Sequence, residues 1–313
     1  MTNTSRKIAI VGTGVIGAGW ATHFLANGFK VVATDPGEGA ESRLRELVDS
    51  YWTTVEAMGL AGGASKDNLS FTTDLSEAVK DAVFIQESGP ERLEIKHAML
   101  AAIEAAANPD AIIATSTSGL KISDIQAGTT HPERIVLGHP FNPPHLIPLV
   151  EVGGGQLTSA ENVAKTIEFY AATGKKPIRI NKEVPGHIAN RLQVALWREA
   201  FSLVERGVAS VEDIDTAISY GPGLRWALLG PFLNLHASGG PGGISHTLQH
   251  LGPAQREWAR DLGSYPEADD YIAPIAQAVD KELENYDFAE MLVQRDELLV
   301  QLLSAKKKCS QIP

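Results

Sequence analysis

Cysteine is nearly absent from this sequence of 313 residues: a single one, Cys309, excludes an internal disulfide and a cysteine-built structural zinc site. That usage suits a reducing compartment. No apolar run approaches the roughly twenty residues that span a bilayer, so no membrane-crossing helix is expected. Positive charge is in deficit, with 27 Lys and Arg against 38 Asp and Glu and a formal net charge of −11. Nucleic acids and anionic membrane surfaces recruit clustered basic residues, so neither is expected as a partner. The one basic run, Lys306-Lys307-Lys308, closes a predicted helix, where positive charge favours the C-terminal end of the dipole. The opening Met-Thr-Asn-Thr-Ser-Arg-Lys is too short and polar for a signal peptide, and a cytoplasmic location is expected.

Glycine, by contrast, is placed where it carries information. The strand-like Lys7-Ile-Ala-Ile-Val11 runs straight into Gly12-Thr-Gly14-Val15-Ile16-Gly17, and the second apolar run, Lys30-Val-Val-Ala-Thr34, leads to Asp35. This is a dinucleotide-binding fingerprint in its strand–turn–helix–strand setting. Gly12 permits the tight turn, Gly14 lets the backbone approach a pyrophosphate, and Gly17 lets the helix pack closely on the sheet. The first helical N–H groups, from Val15 and Ile16 onward, then face the phosphates. Asp35 is positioned to accept hydrogen bonds from ribose hydroxyls and to repel a 2′-phosphate. Pro36-Gly37 offers no arginine to offset that repulsion, so NAD is expected rather than NADP.

The length allows two domains. Strand-like runs recur at 8–11, 31–34, 82–87, 111–115, 135–138, 149–152 and 177–180 with helical stretches between most of them, which predicts a mostly parallel sheet covered on both faces. After Pro185 the pattern changes. Ile188, Leu192, Leu196 and Leu203 follow a helical period toward Gly207, Ser210-Val-Glu-Asp213 reads as a capping box, and Phe288, Leu292, Leu299 and Leu303 mark a last helix. The glycine-rich Ser238–Gly243 reads as a loop between helices. The expected fold is α/β: an N-terminal Rossmann-type dinucleotide-binding domain, residues 1–184, followed by an all-helical domain, residues 185–313.

A dehydrogenase on such a fold needs a base for the hydroxyl proton. Among nine histidines, His139 ends the strand-like Ile135-Val-Leu-Gly-His139, at the sheet edge where ligands approach an open α/β sheet. Glu151 lies inside the next apolar run, Leu149-Val-Glu-Val152, where an unpaired carboxylate is costly. If the two meet, the carboxylate fixes the imidazole tautomer and stabilises the imidazolium. Spacing alone leaves a core histidine and a strand-end glutamate as an equal reading.

His139-Pro-Phe-Asn-Pro143 followed by Leu149-Val-Glu-Val152 resembles the signature of the 3-hydroxyacyl-CoA dehydrogenase family, over nearly the whole chain. Ser116-Thr-Ser118-Gly-Leu120 is similar to its serine segment, Pro185-Gly-His-Ile-Ala-Asn190 to its asparagine helix, and Glu87-Ser-Gly-Pro-Glu91 with Lys96 to its cofactor-contact stretch. The resemblance implies His139 as general base, Glu151 as its orienting partner, and Ser118 and Asn190 as hydrogen-bonding groups around the reacting oxygen. It also implies Glu91 and Lys96 flanking the nicotinamide ribose and a dimer formed through the helical domain; no metal is expected, since hydride transfer with an imidazole base needs none and the sequence has no histidine–carboxylate cluster at ligand spacing.

Departures from the family narrow the expected substrate. Where acyl-CoA members resembling this chain carry a lysine-rich hairpin for the CoA phosphates, residues 36–64 hold Arg43 and Arg45 but no lysine, against Glu38, Glu41, Glu46, Asp49 and Glu56. A polyphosphate would be repelled there. Two family branches that oxidise free hydroxy acids, L-carnitine and L-gulonate, resemble the chain over its full length. Gln86–Leu93, Leu196-Trp-Arg-Glu-Ala200 and Gly223-Leu-Arg-Trp-Ala227 resemble the carnitine branch, whereas Asn142–Pro148 resembles the gulonate branch and Asn190 stands where some carnitine enzymes resembling this chain carry an acid. The expectation is NAD-dependent oxidation of a free 3-hydroxy acid, carnitine first, gulonate second and a short hydroxyacyl-CoA third, with a structural NADH-binding protein as the non-enzymatic alternative. Trp197, Tyr220, Trp226 and Phe232 could hold a trimethylammonium by their faces, although each taken singly reads more readily as helix core. Arg198 or Arg225 could meet a substrate carboxylate or a neighbouring acid such as Glu199.

Overall fold

The computed structural model describes residues 6–312, so the polar segment 1–5 read above lies outside the described residues. The chain divides into a first unit ending at Asn190 and a second beginning at Arg191.

In the first unit the elements run β1 (Lys7–Val11), α1 (Val15–Ala26), β2 (Lys30–Thr34), α2 (Ala40–Met58), β3 (Leu69–Thr72), α3 (Leu75–Val79) and β4 (Phe84–Glu87). They continue as α4 (Leu93–Ala106), β5 (Ile112–Thr115), α5 (Ile122–Ile125), β6 (Ile135–Pro140), β7 (Leu149–Gly154), α6 (Ala160–Ala172) and β8 (Lys176–Arg179). The eight strands form one sheet in the order β3-β2-β1-β4-β5-β6-β7-β8. Pairing is parallel except between β6 and β7. Strand order reverses beside β1, which opens a crevice at the carboxyl ends of β1 and β4, the place where open α/β sheets bind ligands.

Both faces of the sheet are covered, as the near-continuous apolar strands require. Side chains of β1 alternate: Ile8 and Ile10 pack with Val31, Trp20, Phe24 and Tyr170 on one face, and Ala9 and Val11 with Ile85, Leu100 and Ile103 on the other. Trp20 stacks on Phe24 and Tyr170 at ring separations of 5.4 and 5.2 Å, which fixes α1 and α6 on the same face.

The strand β3 was not singled out by the sequence pattern. Leu-Ser-Phe-Thr is a short edge strand with a single buried side chain, Leu69, so it offers no apolar run to detect. The run read as 82–87 begins its pairing only at Phe84, because the chain is still turning at residues 80–82.

The second unit is helical: α7 (Ala189–Glu205, beginning just before the division), α8 (Val211–Ser219), α9 (Pro222–Ser238), α10 (Gly243–Asp261), α11 (Ile272–Leu283) and α12 (Phe288–Lys308). The capping box is formed, with the Asp213 N–H donating to Ser210 Oγ at 3.0 Å. Asp287 caps α12 by accepting from Ala289 and Glu290 N–H. Gly230, at φ 72°, and Pro231 interrupt α9, and the glycine-rich stretch forms a short 3-10 turn before α10. Lys306-Lys307-Lys308 fills the last turn of α12, where Lys306 also donates to the Ala227 carbonyl. No helix among the described residues is long and apolar enough to cross a membrane.

Candidate active site

The carboxyl ends of β1, β2, β4, β5 and β6 deliver the candidate residues. After β1, Gly12 adopts φ +91° and donates its N–H to the Thr34 carbonyl, joining the turn to β2. A Cβ at Gly12 would lie 2.7 Å from the Ser88 carbonyl oxygen, and one at Gly17 would lie 1.9 Å from the Gly12 oxygen. Both glycines are therefore required by packing. Gly14 is different: a Cβ there meets nothing within 4 Å, so the side toward which it would point is open for a ligand.

The helix that follows has no side-chain cap and no acid in its first turn, which leaves N–H groups at its positive end available to an anion. Just past β2, the Asp35 carboxylate is oriented by N–H donation from Thr13 at 2.9 Å and Gly37 at 2.8 Å. An open glycine, an uncapped helix start and an oriented acid fit a dinucleotide pyrophosphate and ribose.

His139 and Glu151 stand directly opposite each other in the β6–β7 pair. Both are buried, and His139 Nδ1 lies 2.8 Å from Glu151 Oε2. The other carboxylate oxygen, Oε1, accepts N–H bonds of 2.9 Å from both Ile188 and Ala189 at the start of α7. Burial alone would push the Glu151 carboxyl up. The hydrogen bond from His139 and those from Ala189 and Ile188 more than offset this and hold it below the usual carboxylate range. An ionised carboxylate accepts hydrogen bonds and donates none, so the neutral imidazole carries its proton on Nδ1 and leaves Nε2 as the basic nitrogen.

Ser118 and Asn190 are also brought together, the Asn190 amide donating to the Ser118 carbonyl at 3.0 Å. Glu91 gathers the loop after β5: it accepts from Thr117 Oγ1 at 2.6 Å and from the Ser118 and Gly119 N–H groups at 2.8 and 3.0 Å. Its burial works to raise its pKa, but the Thr117 hydroxyl, then Lys96 and these N–H donors, bring it below the ordinary value.

Lys96 is not a solvated partner of Glu91. It is 1% exposed, with its ammonium 3.0 Å from the wholly buried Glu87 and 3.6 Å from Glu91. Glu87 also accepts from Thr115 Oγ1 and the Gly89 N–H, so the ion pair sits in a satisfied network at the end of β4. Sequence reasoning named the stretches that contain Glu87, Thr117 and His187 but gave none of the three a role of its own. An acid ending an apolar strand was a usable sign for Glu87. The ring of His187 lies 5.2 Å from that of His139 and bonds the Thr117 carbonyl, a contact across 70 residues with no local signal.

Residues 7–184 match the family model for the 3-hydroxyacyl-CoA dehydrogenase NAD binding domain, and residues 186–268 match that for the C-terminal domain of the same enzymes. The chain belongs to the 3-hydroxyacyl-CoA dehydrogenase family. It is accordingly an NAD-dependent oxidoreductase acting on a CH–OH group. The L-carnitine dehydrogenase of Streptomyces coelicolor is 48% identical over 301 residues, covering 96% of this chain and 94% of that one. The L-carnitine dehydrogenase of Bacillus cereus is 46% identical over 308 residues, covering 98% and 94%. Among solved structures, the NAD-dependent 5-formyl-3-hydroxy-2-methylpyridine 4-carboxylic acid 5-dehydrogenase is similar at a TM-score of 0.86 and 32% identity, covering 97% of this chain and 99% of that one. A 3-hydroxyacyl-CoA dehydrogenase of Archaeoglobus fulgidus has a TM-score of 0.68 at 26% identity, covering 96% and 99%.

Family membership also gives the acidic α2 region a chemical meaning. Arg45 is paired with Glu41 at 2.8 Å and Arg43 donates to the Glu38 carbonyl at 2.7 Å, so both arginines are engaged by their own helix start. Lys66 is paired with Asp49. Around α2, Arg43, Arg45 and Lys66 each have a neighbouring acceptor.

Proposed function

We propose that this protein oxidises the 3-hydroxyl of L-carnitine with NAD+. The observation that carries the substrate is the 46–48% identity to L-carnitine dehydrogenases along almost the whole of both chains. The locally neutralised α2 supports a free acid over a thioester of CoA. Bound NAD+ supplies the hydride acceptor, held by the Gly12–Gly17 turn, the start of α1 and Asp35.

In this reading His139 Nε2 takes the hydroxyl proton while Glu151 holds the ring and stabilises the imidazolium. Ser118 and Asn190 hold the reacting oxygen against the imidazole, which favours a reactive geometry. Glu91, with Lys96 3.6 Å behind it, would face the nicotinamide ribose of bound NAD+. The base must be neutral to act, so oxidation speeds up as pH rises and the reverse reduction speeds up as it falls.

The proposal extends to the chain's organisation: a cofactor domain of residues 1–184 and a helical substrate and dimerisation domain of residues 185–313. It also places the protein in the cytoplasm, a reducing setting that suits the lone exposed thiol of Cys309. A homodimer is supported by the second unit, where no apolar side chain among the described residues is buried and Trp226, Phe232 and Trp258 are exposed. A second copy laid on these helices removes that surface from water. Light scattering after size exclusion should give twice the chain mass, and a monomer at micromolar concentration removes the dimer.

NADH formation measured separately with L-carnitine, D-carnitine, L-gulonate, 3-hydroxybutyryl-CoA and a hydroxymethylpyridine carboxylate tests the substrate. Turnover with L-carnitine far above the others is expected. Preference for any other compound reassigns the pocket while leaving the cofactor and the CH–OH chemistry in place.

A further inference from the structure

We propose that His187 is a positioning residue of this active site: its imidazole pins the Thr117–Ser118 loop, and its backbone turns the next two N–H groups onto Glu151. The proposal rests on the reading of His139 as base and deepens it, because one residue then sets both the serine side and the imidazole side of the reacting hydroxyl.

The backbone is the first observation. Among the described residues, His187 is the one non-glycine with positive φ, at 55°, and it follows Gly186 at φ 74°. A left-handed conformation costs a side-chain-bearing residue free energy that glycine does not lose, so a buried histidine there needs a reason. Its immediate product is visible. The N–H groups of the next two residues, Ile188 and Ala189, both reach Glu151 Oε1 at 2.9 Å, and Asn190 follows with its amide on the Ser118 carbonyl.

The side chain is the second observation. His187 is buried, and its Nε2 lies 3.1 Å from the Thr117 carbonyl oxygen. A carbonyl only accepts, so Nε2 carries the proton and donates. Burial pushes His187 below the ordinary histidine value, the bond to Thr117 partly opposes this, and the neighbouring His139 pushes it further down. The ring is therefore a neutral donor beside the base.

The Thr117–Gly119 loop is consequently gripped from two directions: Glu91 holds Thr117 Oγ1 and the Ser118 and Gly119 N–H groups, and His187 and Asn190 hold the Thr117 and Ser118 carbonyls. Residues 187–190 thus join the serine loop to Glu151. A glycine at position 187 would satisfy the backbone better and lose the ring contact, which separates the two roles experimentally.

His187→Gly keeps the left-handed turn and deletes the donor, while His187→Gln returns an N–H donor at similar reach. For His187→Gly we expect kcat to fall at least tenfold, with KM for substrate changing less and NADH affinity within twofold of wild type. His187→Gln should recover kcat to within about threefold. Amide exchange at residues 117–120 should quicken about tenfold in His187→Gly and return toward wild type in His187→Gln, whatever the substrate. Wild-type kcat and unchanged exchange in His187→Gly overturn the proposal, as does a His187→Gln variant no better than His187→Gly. His139→Ala, run alongside, separates the failures: turnover that survives it sinks the base assignment, whereas its loss beside an active His187→Gly sinks only the role of His187.

Discussion

Through Asn190 the chain packs Trp20, Phe24, Ile85 and Leu100 at 0% exposure, whereas from Arg191 onward Leu224 is 59% and Phe232 76% exposed. The difference follows from architecture. A sheet of eight strands offers two apolar faces and helices close both, so the first unit completes its core within one chain. The second unit is built from apolar helix stripes, and a stripe left without a facing layer stays in water. Precise placement of groups is accordingly found where the core is closed, around His139 and Glu151. The helical unit instead offers surface, which is the physical ground for the proposed second copy.

Variants should act on the two regions in different ways. The largest effect is expected from His139→Ala, which should lower turnover by roughly 10²–10⁴-fold, the usual weight of a general base. NADH binding, measured by fluorescence, and oligomer mass should stay unchanged, because the ring lies in the first unit and is not among the groups proposed to hold the cofactor. Turnover that persists withdraws the base role, and a change of mass breaks the separation between chemistry and assembly.

Next in size is the contrast between two leucines. Leu100→Ala empties a closed core and should cost roughly 2–5 kcal/mol in denaturant unfolding. Leu224→Ala should cost under about 0.5 kcal/mol in a dilute chain, since little apolar area leaves water there. Equal costs would show that the helical unit is already packed.

A third effect separates two buried lysines in the first unit. Lys96 has Glu87, while Lys175 has, among the described residues, the Pro144 and Ile147 carbonyls and the face of Trp20 at 5.1 Å. Burial lowers Lys175 to about 7. The unfolded chain holds that proton up to about 10.4, so between these values it binds a proton that the folded chain does not. Stability should therefore rise as pH goes from about 7 to about 10, by an amount on the order of a few kcal/mol. Lys175→Met should flatten that slope, and an unchanged slope assigns it to other groups.

The smallest expected signal comes from dilution. If a second copy covers the helical unit, its melting temperature should drop by a few degrees per tenfold dilution, because association stabilises by mass action. The first unit's transition should move less. A helical transition independent of concentration removes the contrast from which the dimer is argued.

What could be read before folding was local or periodic. The Gly12–Gly17 turn and Asp35 were legible because each glycine answers a backbone demand within a few residues, and the Ser210 box because a cap spans three. The β3 strand escaped because a four-residue edge strand has too short a pattern. His139 and Glu151 were legible as candidates, since an acid inside an apolar strand asks for a partner, yet spacing left a core histidine equally open. The resemblance named Lys96 together with Glu91, but the end of β4 brings Glu87 nearer to it, at 3.0 against 3.6 Å.

The sequence by itself determined the cofactor turn, the preference for NAD, the alternation of elements and the change to helix after Pro185, all of which depend on neighbours or on a short repeat. Only the tertiary structure decided that His139 meets Glu151 at 2.8 Å, that Lys96 turns inward to Glu87, and that His187 reaches the Thr117 carbonyl at 3.1 Å. Contacts of this length between residues 9 to 70 positions apart are fixed by strand register, sheet order and where a helix begins. A shift of one residue in the β6–β7 register would turn Glu151 to the opposite face and leave the imidazole without its acid.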